Sequence, residues 1–182
     1  MKLRATLRRD YDHYLRLCER PGGARLWRML LSPRLQPMVL IRVAGWLHAC
    51  GLGPLGNLVS LLVLWVFRVE VPARAVIAPG LVLPHPGGII IGSARIGEDV
   101  VIYQNVTLGA RRFEGAYDLT TRPVIGPGVT IGAGAVVLGP VEIGAGATVA
   151  ANSLVNRDVP AGATALGVPA QVRPADATEG TP

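Results

Sequence analysis

The chain is poor in the residues that usually announce a chemistry. Its two cysteines, Cys18 and Cys50, have no paired spacing and no histidine at ligand distance in the sequence, so neither a disulfide framework nor a metal site is expected. A reducing compartment is the default for such cysteine usage. Aromatic residues make up only 5% of the sequence, and no aromatic interleaving accompanies its basic residues, which argues against nucleic acid as a partner. There is no Gly-x-Ser-x-Gly elbow and hence no hydrolase-type nucleophile. No apolar run reaches the roughly eighteen to twenty residues that a bilayer span demands. The start, Met1-Lys2-Leu3-Arg4, leads into more charge rather than an apolar run, so no secretory leader is read and the cytoplasm is the expected location.

What the sequence has instead is a period. From Ile125 to Pro160 an aliphatic residue returns every six positions, at Ile125, Ile131, Val137, Ile143, Val149 and Val155. Two places before the next aliphatic stands a small or β-branched partner: Val129, Ala135, Val141, Ala147, Ser153 and Val159. Gly, Ala, Pro and Asn fill most of the rest. Helices need spacings of three and four, and hairpin meanders need turn signals every eight to twelve residues, so neither template fits. A fixed six-residue period predicts a solenoid in which each hexad is a short strand plus a corner, and three hexads make one turn of a prism. Upstream the register continues through Ile90, Ile96, Ile102 and Leu108, with Ala94, Val100 and Val106 as partners. It then breaks: the next aliphatic arrives at Ile125 rather than at position 114, so about eleven residues leave the coil as a loop within 109–124, and such loops often carry function.

The expected organisation is a helical region over 1–68, a β-solenoid over 69–172 and a disordered tail over 173–182. Residues 3–20 read as a charged helix with Leu3, Leu7, Tyr11, Tyr14 and Leu15 near one stripe, ended by Pro21-Gly22-Gly23. Further helical segments are read at 24–31, from Pro37 to His48, and from Leu55 to Phe67. The last is almost wholly apolar but too short to span, which leaves a helix buried in an oligomer interface or an interfacial helix. Residues 1–42 carry ten basic and three acidic side chains, a balance of +7 within a chain total of +6. That bias suits a solvated or oligomer-supporting face or a membrane surface. Gly51, Gly53 and Gly56 mimic a dinucleotide fingerprint, but they join two helices and enclose Pro54, so the motif is discounted.

Of the three histidines, His13 is expected on an exposed helix face and His48 as a packed histidine with one hydrogen bond. His85 lies at a solenoid corner, in Leu83-Pro84-His85-Pro86-Gly87-Gly88, where the glycines let a ligand approach the backbone. An imidazole there is suited to take a proton from a hydroxyl, although spacing alone does not separate that role from a structural one.

From about Gln36 to Val172 the sequence resembles the serine acetyltransferase branch of the hexapeptide-repeat acyltransferases, which includes O-acetyltransferases of polysaccharide assembly. The resemblance rests on Phe67-Arg68-Val69-Glu70, His85, Gly88-Ile89-Ile90-Ile91-Gly92, Gln104-Asn105-Val106-Thr107-Leu108-Gly109, Ile131-Gly132-Ala133-Gly134-Ala135 and the ending Gly167-Val168-Pro169-Ala170. It implies a mainly β fold, a left-handed parallel β-helix behind an N-terminal α-helical region. It also implies a homotrimer with sites between subunits, pairing of trimers being left open. The implied reaction is direct transfer from acetyl-CoA, with His85 as general base, Glu70 as the acid that orients it, and backbone near Gly109, Ala110, Ala133 and Ala151 receiving the pantetheine. Two features depart from the family: Pro84 stands where the serine enzymes place Asp, and Thr120-Thr121-Arg122-Pro123 replaces their Asp-Arg-His-Pro run. Arg122 remains as an anion-binding candidate. With those charged clamps missing, a sugar or glycan-precursor hydroxyl is the first expected acceptor, reached near a membrane through the basic N-terminal helices. Serine O-acetyltransferase of cysteine synthesis is the alternative, and a non-catalytic trimeric scaffold a third.

Overall fold

The computed structural model describes residues 2–20, 25–92, 95–112 and 118–174. Four helices come first: α1 (Leu3–Leu17), α2 (Trp27–Leu31), α3 (Gln36–Ala49) and α4 (Gly53–Phe67). Short strands follow: β1 (Val69–Glu70), β2 (Ile89–Ile91), β3 (Arg95–Ile96), β4 (Val101–Ile102), β5 (Thr107–Gly109), β6 (Val124–Ile125) and β7 (Thr130–Ile131). The chain then continues through β8 (Val136–Leu138), β9 (Glu142–Ile143), β10 (Thr148–Val149), β11 (Leu154–Val155), β12 (Thr164–Gly167) and β13 (Ala170–Arg173). They stack as three faces: sheet A is β1-β2-β5-β8-β11, sheet B is β3-β6-β9, and sheet C is β4-β7-β10-β12, closed by β13. All pairs between coils are parallel, while β13 folds back antiparallel on β12. The architecture is the left-handed β-helix with a helical N-terminal region.

The register shows the hexads directly. Ile125 pairs with Ile143, Ile131 with Val149 and Val137 with Val155, each eighteen residues apart, which is three hexads per coil. Ile96 pairs with Ile125, Ile102 with Ile131 and Leu108 with Val137, each twenty-nine apart, a coil plus eleven residues. The inward aliphatics and their partners Val129, Ala135, Ala147 and Ser153 are buried together, because alternation along each strand points both toward the axis. Ala94, part of the expected register, lies outside the described residues, as do Pro21-Gly22-Gly23, residues 113–117 of the loop and residues 175–182 of the tail.

One element of the register differs from the expectation. Ile90 is 40% exposed, whereas Ile89 and Ile91 are fully buried. Leu108 pairs with Ile91, seventeen residues back rather than eighteen, so the corner after β2 is one residue short. A one-residue slip turns a strand over, and here the triple isoleucine supplies an inward side chain in either register. The corner before β2, which carries His85, is correspondingly long: Leu83 and Ile91, both buried, stand eight residues apart instead of six.

The corner between sheets C and A shows why Gly and Asn occupy it. Gly88, Asn105, Gly134 and Asn152 all adopt left-handed φ values, 64°, 58°, 70° and 57°. The Oδ1 of Asn105 occupies the place a Cβ on Gly88 would take, and that of Asn152 does the same for Gly134. Asparagine tolerates this conformation and fills the space that its glycine neighbour leaves, so the two alternate coil by coil.

The helical region attaches through charge. On α1 the face toward the coil is Thr6, Asp10 and His13, at spacings of four and three, flanked by Tyr11. Asp10 is fully buried; its Oδ1 accepts from Gly80 N (2.7 Å), Leu81 N (3.1 Å) and Arg42 Nη2 (2.9 Å), and its Oδ2 from Arg42 Nε (2.7 Å). Arg42, 3% exposed, also donates to the carbonyls of Ile77 and Ala78, both at 2.7 Å. Arg9 and Arg16 reach Asp99 at 2.6 and 3.5 Å. His13 is buried rather than exposed, with Nδ1 against Gly80 O; a carbonyl only accepts, so Nδ1 carries the proton. His48 departs from expectation in the other direction and is exposed. Gly56 is a packing glycine, since a Cβ there would lie 2.8 Å from Ala44 O across the α3–α4 contact.

Candidate active site

His85 is exposed at the lengthened corner, between the isolated bridge Val82–Val101 and strand β2. The corner is tied to the next coil by Asn105 N donating to Gly87 O (2.9 Å), and that coil to the following one by Gly134 N donating to Gln104 O (2.9 Å). The Oε1 of Gln104 is buried without a partner among the described residues. Glu70 lies in β1, paired with Ile90, and its side chain is exposed on the outer face of sheet A. No hydrogen bond joins Glu70 to His85 among the described residues.

Arg122 occupies the opposite edge of the same sheet. It follows a 3-10 turn, Leu119–Thr121, whose cap Asp118 accepts from Thr120 N (2.8 Å) and Thr120 Oγ1 (2.7 Å). Those two bonds, led by the one from the backbone, hold the Asp118 carboxyl below its usual 3.8. Arg122 donates from Nε to Asp118 O (3.1 Å) and from Nη1 to Gly92 O (3.0 Å), so its guanidinium braces the base of the loop. Gly92 follows β2 and His85 precedes it, so within one chain the two candidates are separated by the strand, roughly 10 Å at its rise per residue.

The four expected pantetheine contacts divide in the same way. Ala133 and Ala151 lie on the edge between sheets C and A, the edge of His85, whereas Gly109 and Ala110 lie on the edge between sheets A and B, with Arg122. A Cβ on Gly109 would meet nothing within 4 Å, so that edge is open to a ligand. Arg111, on the same edge, donates to Asn156 O at 2.9 Å. A concavity of about 780 Å³ lies elsewhere, over sheet B and the end of α3, lined by His48, Val71, Arg74, Ile96 and Ile125 among others. The candidate site is therefore two edges rather than one cavity of a single chain. Among the described residues no cluster of histidine, cysteine or carboxylate side chains has the composition of a metal site.

Residues 122–157 match the model of the bacterial transferase hexapeptide (six repeats). A serine acetyltransferase of Helicobacter pylori J99 is 34% identical over 157 residues, 85% of this chain and 90% of its own length. The chain belongs to the serine acetyltransferase family. A second such acetyltransferase, from Synechococcus elongatus, is 37% identical over 85% of this chain, which spans 63% of that longer protein. The fold agrees: a solved serine acetyltransferase in complex with CoA superposes with a TM-score of 0.80 at 29% identity, over 94% of this chain and 69% of that one. The family motifs do not reach the Asp10–Arg42 clip; its one local trace in the sequence is the polar stripe Thr6, Asp10 and His13 at helical spacing, which does not name the partners.

Proposed function

We propose that this serine acetyltransferase family member is an acetyl-CoA-dependent O-acetyltransferase whose acceptor is L-serine, with His85 as general base. The observation that carries the reading is the lengthened, exposed corner holding His85 above the Gly88–Asn105 stack, in a chain whose relatives are serine acetyltransferases. Acetyl-CoA supplies the activated acetyl group as a thioester. His85 takes the proton of the acceptor hydroxyl as the new ester bond forms, and returns it to the sulfur that departs, so the imidazole is regenerated and no acyl-enzyme forms. Glu70 is the acid that turns toward the imidazole and holds its tautomer. Ala133 and Ala151 on the His85 edge, and Gly109, Ala110 and Arg122 on the other edge of a neighbouring copy, complete the site in a trimer. Arg122 faces the acceptor carboxylate from the loop base, and the small residues admit the pantetheine.

A sugar acceptor, the first expectation from sequence, becomes the second reading, because the relatives favour serine. It keeps one supporting observation: Pro84 and Thr120-Thr121 stand where the family's amino-acid clamps are charged, and a site without those groups binds a zwitterion weakly. Thiol release from acetyl-CoA, measured with L-serine and then with a panel of sugars and nucleotide sugars, separates the two. Turnover with serine supports the proposal. Turnover with sugars alone transfers it to the glycan reading, and release with neither, or an equally active His85→Ala variant, overturns the assignment of the site.

A further inference from the structure

The helical region carries its apolar residues on the outside. On α4 only Gly56 and Val63 are buried, Gly56 against Ala44 of α3. Leu64, Leu61, Trp65, Leu58, Leu62, Leu55 and Val66 are all exposed, Trp65 by 78% and Leu58 by 61%. At 3.6 residues per turn these seven cover an arc of roughly 200°. A helix that packs on one neighbour needs an apolar stripe of only about 100°, so a single copy of this chain laid on α4 leaves much of the arc in water. No Asp, Glu, Lys or Arg occurs between Arg42 and Arg68. Trp46 of α3 and Trp65 of α4 are both exposed, and an indole suits a boundary between apolar and wet media.

Charge points to the same medium. Of the two acidic groups of α1, Asp10 is buried against Arg42, and exposed Asp12 is paired with Arg8 one turn away on the same helix. Lys2, Arg4, Arg20, Arg25, Arg28, Arg34 and Arg68 give the helical region a strong basic excess. We propose that α4 lies in the interfacial plane of an anionic bilayer, with its leucines and Trp65 in the acyl boundary and the basic residues of the helical region drawn to the headgroups. At 15 residues α4 is about 22 Å long, shorter than the roughly 30 Å hydrocarbon core, and no described helix is long and apolar enough to cross a membrane. The helix lies on the membrane rather than through it.

This goes beyond acetyl transfer, and its test contains no turnover, so the two fail separately. The full chain is sedimented with vesicles of phosphatidylcholine alone or mixed with phosphatidylglycerol, and tryptophan emission is followed. The expected result is partition onto the mixed vesicles with a blue shift, weakened by salt. The exposed double change Leu58→Glu/Leu62→Glu, with its fold checked by circular dichroism, is expected to lower partition by at least about tenfold. The milder Leu61→Asn lowers it less and serves if the double variant fails to fold. No partition of the wild type above protein alone overturns the proposal. So does a double variant that dissociates a larger oligomer in light scattering while keeping the wild-type partition, which assigns the face to a second copy.

Discussion

The solenoid and the helical region solve opposite problems. Each coil buries its aliphatics on the axis and pairs its backbone with the coils on either side, so its contacts repeat every eighteen residues where no loop intervenes. The helices have no repeat. They attach by a buried ion pair in which Asp10 and Arg42 are satisfied by each other and by four backbone groups, while their most apolar member faces outward. The difference teaches that the coil is stabilised by many small, equivalent terms, whereas the helical attachment adds to its apolar contacts a polar cluster concentrated on Asp10 and Arg42. Damage should therefore be graded in the first and abrupt in the second.

The largest stability effect is expected at the attachment. Asp10→Ala leaves the Arg42 guanidinium buried without its carboxylate, and chemical denaturation should report a loss of about 3–5 kcal/mol. A loss below about 1 kcal/mol would show that the helices are held by their apolar contacts instead. Within the coil, Ile131→Ala removes a fully buried side chain between two neighbouring coils, and the same measurement should give roughly 3 kcal/mol. Gly134→Ala places a Cβ on Asn152 Oδ1 at a φ of 70° and should cost about 1–2 kcal/mol from conformation alone, before the collision. Asn152→Ala carries its own conformational cost at a φ of 57°, so the two are read as a double-mutant cycle: the pair should lose less than the sum of the single losses, by the collision part, and additive losses would contradict the Gly–Asn stacking. The smallest effect belongs to Asp118→Ala, at the loop. The folded carboxyl titrates below its ordinary 3.8, so its bonds to Thr120 contribute above that pH and are lost as pH falls through the lowered value. Amide exchange at Thr120 should accelerate in the variant at neutral pH with global stability unchanged.

The same contrast explains what the sequence could reveal. A period survives any single exception, so the coil length, the inward set and the eleven-residue excess are readable from spacing. The β2 register is not readable, because Ile89, Ile90 and Ile91 offer one chemistry in two phases, and only the pairing of Ile91 with Leu108 decides between them. The Asp10–Arg42 clip joins residues thirty-two apart, and its backbone partners lie seventy and seventy-one positions beyond Asp10. No local pattern carries that information, which is why His13 reads as exposed in a charged helix and is buried in the fold. His85 and Glu70 come from motif likeness, and the structure adds their exposure and the long corner. It also shows that Arg122 and Gly109 stand on the other edge of the sheet, which spacing along the chain does not reveal.

The measurement that bears most directly on the account is thiol release from acetyl-CoA with L-serine, run on the wild type and on His85→Ala with their oligomeric states matched by light scattering. The account predicts turnover by the wild type and a fall of about 10²–10⁴-fold in the variant, the range for a lost general base, with the assembly unchanged. Equal rates in the two proteins, or serine turnover that disappears only when the assembly itself is lost, would contradict the assignment of His85 as the base.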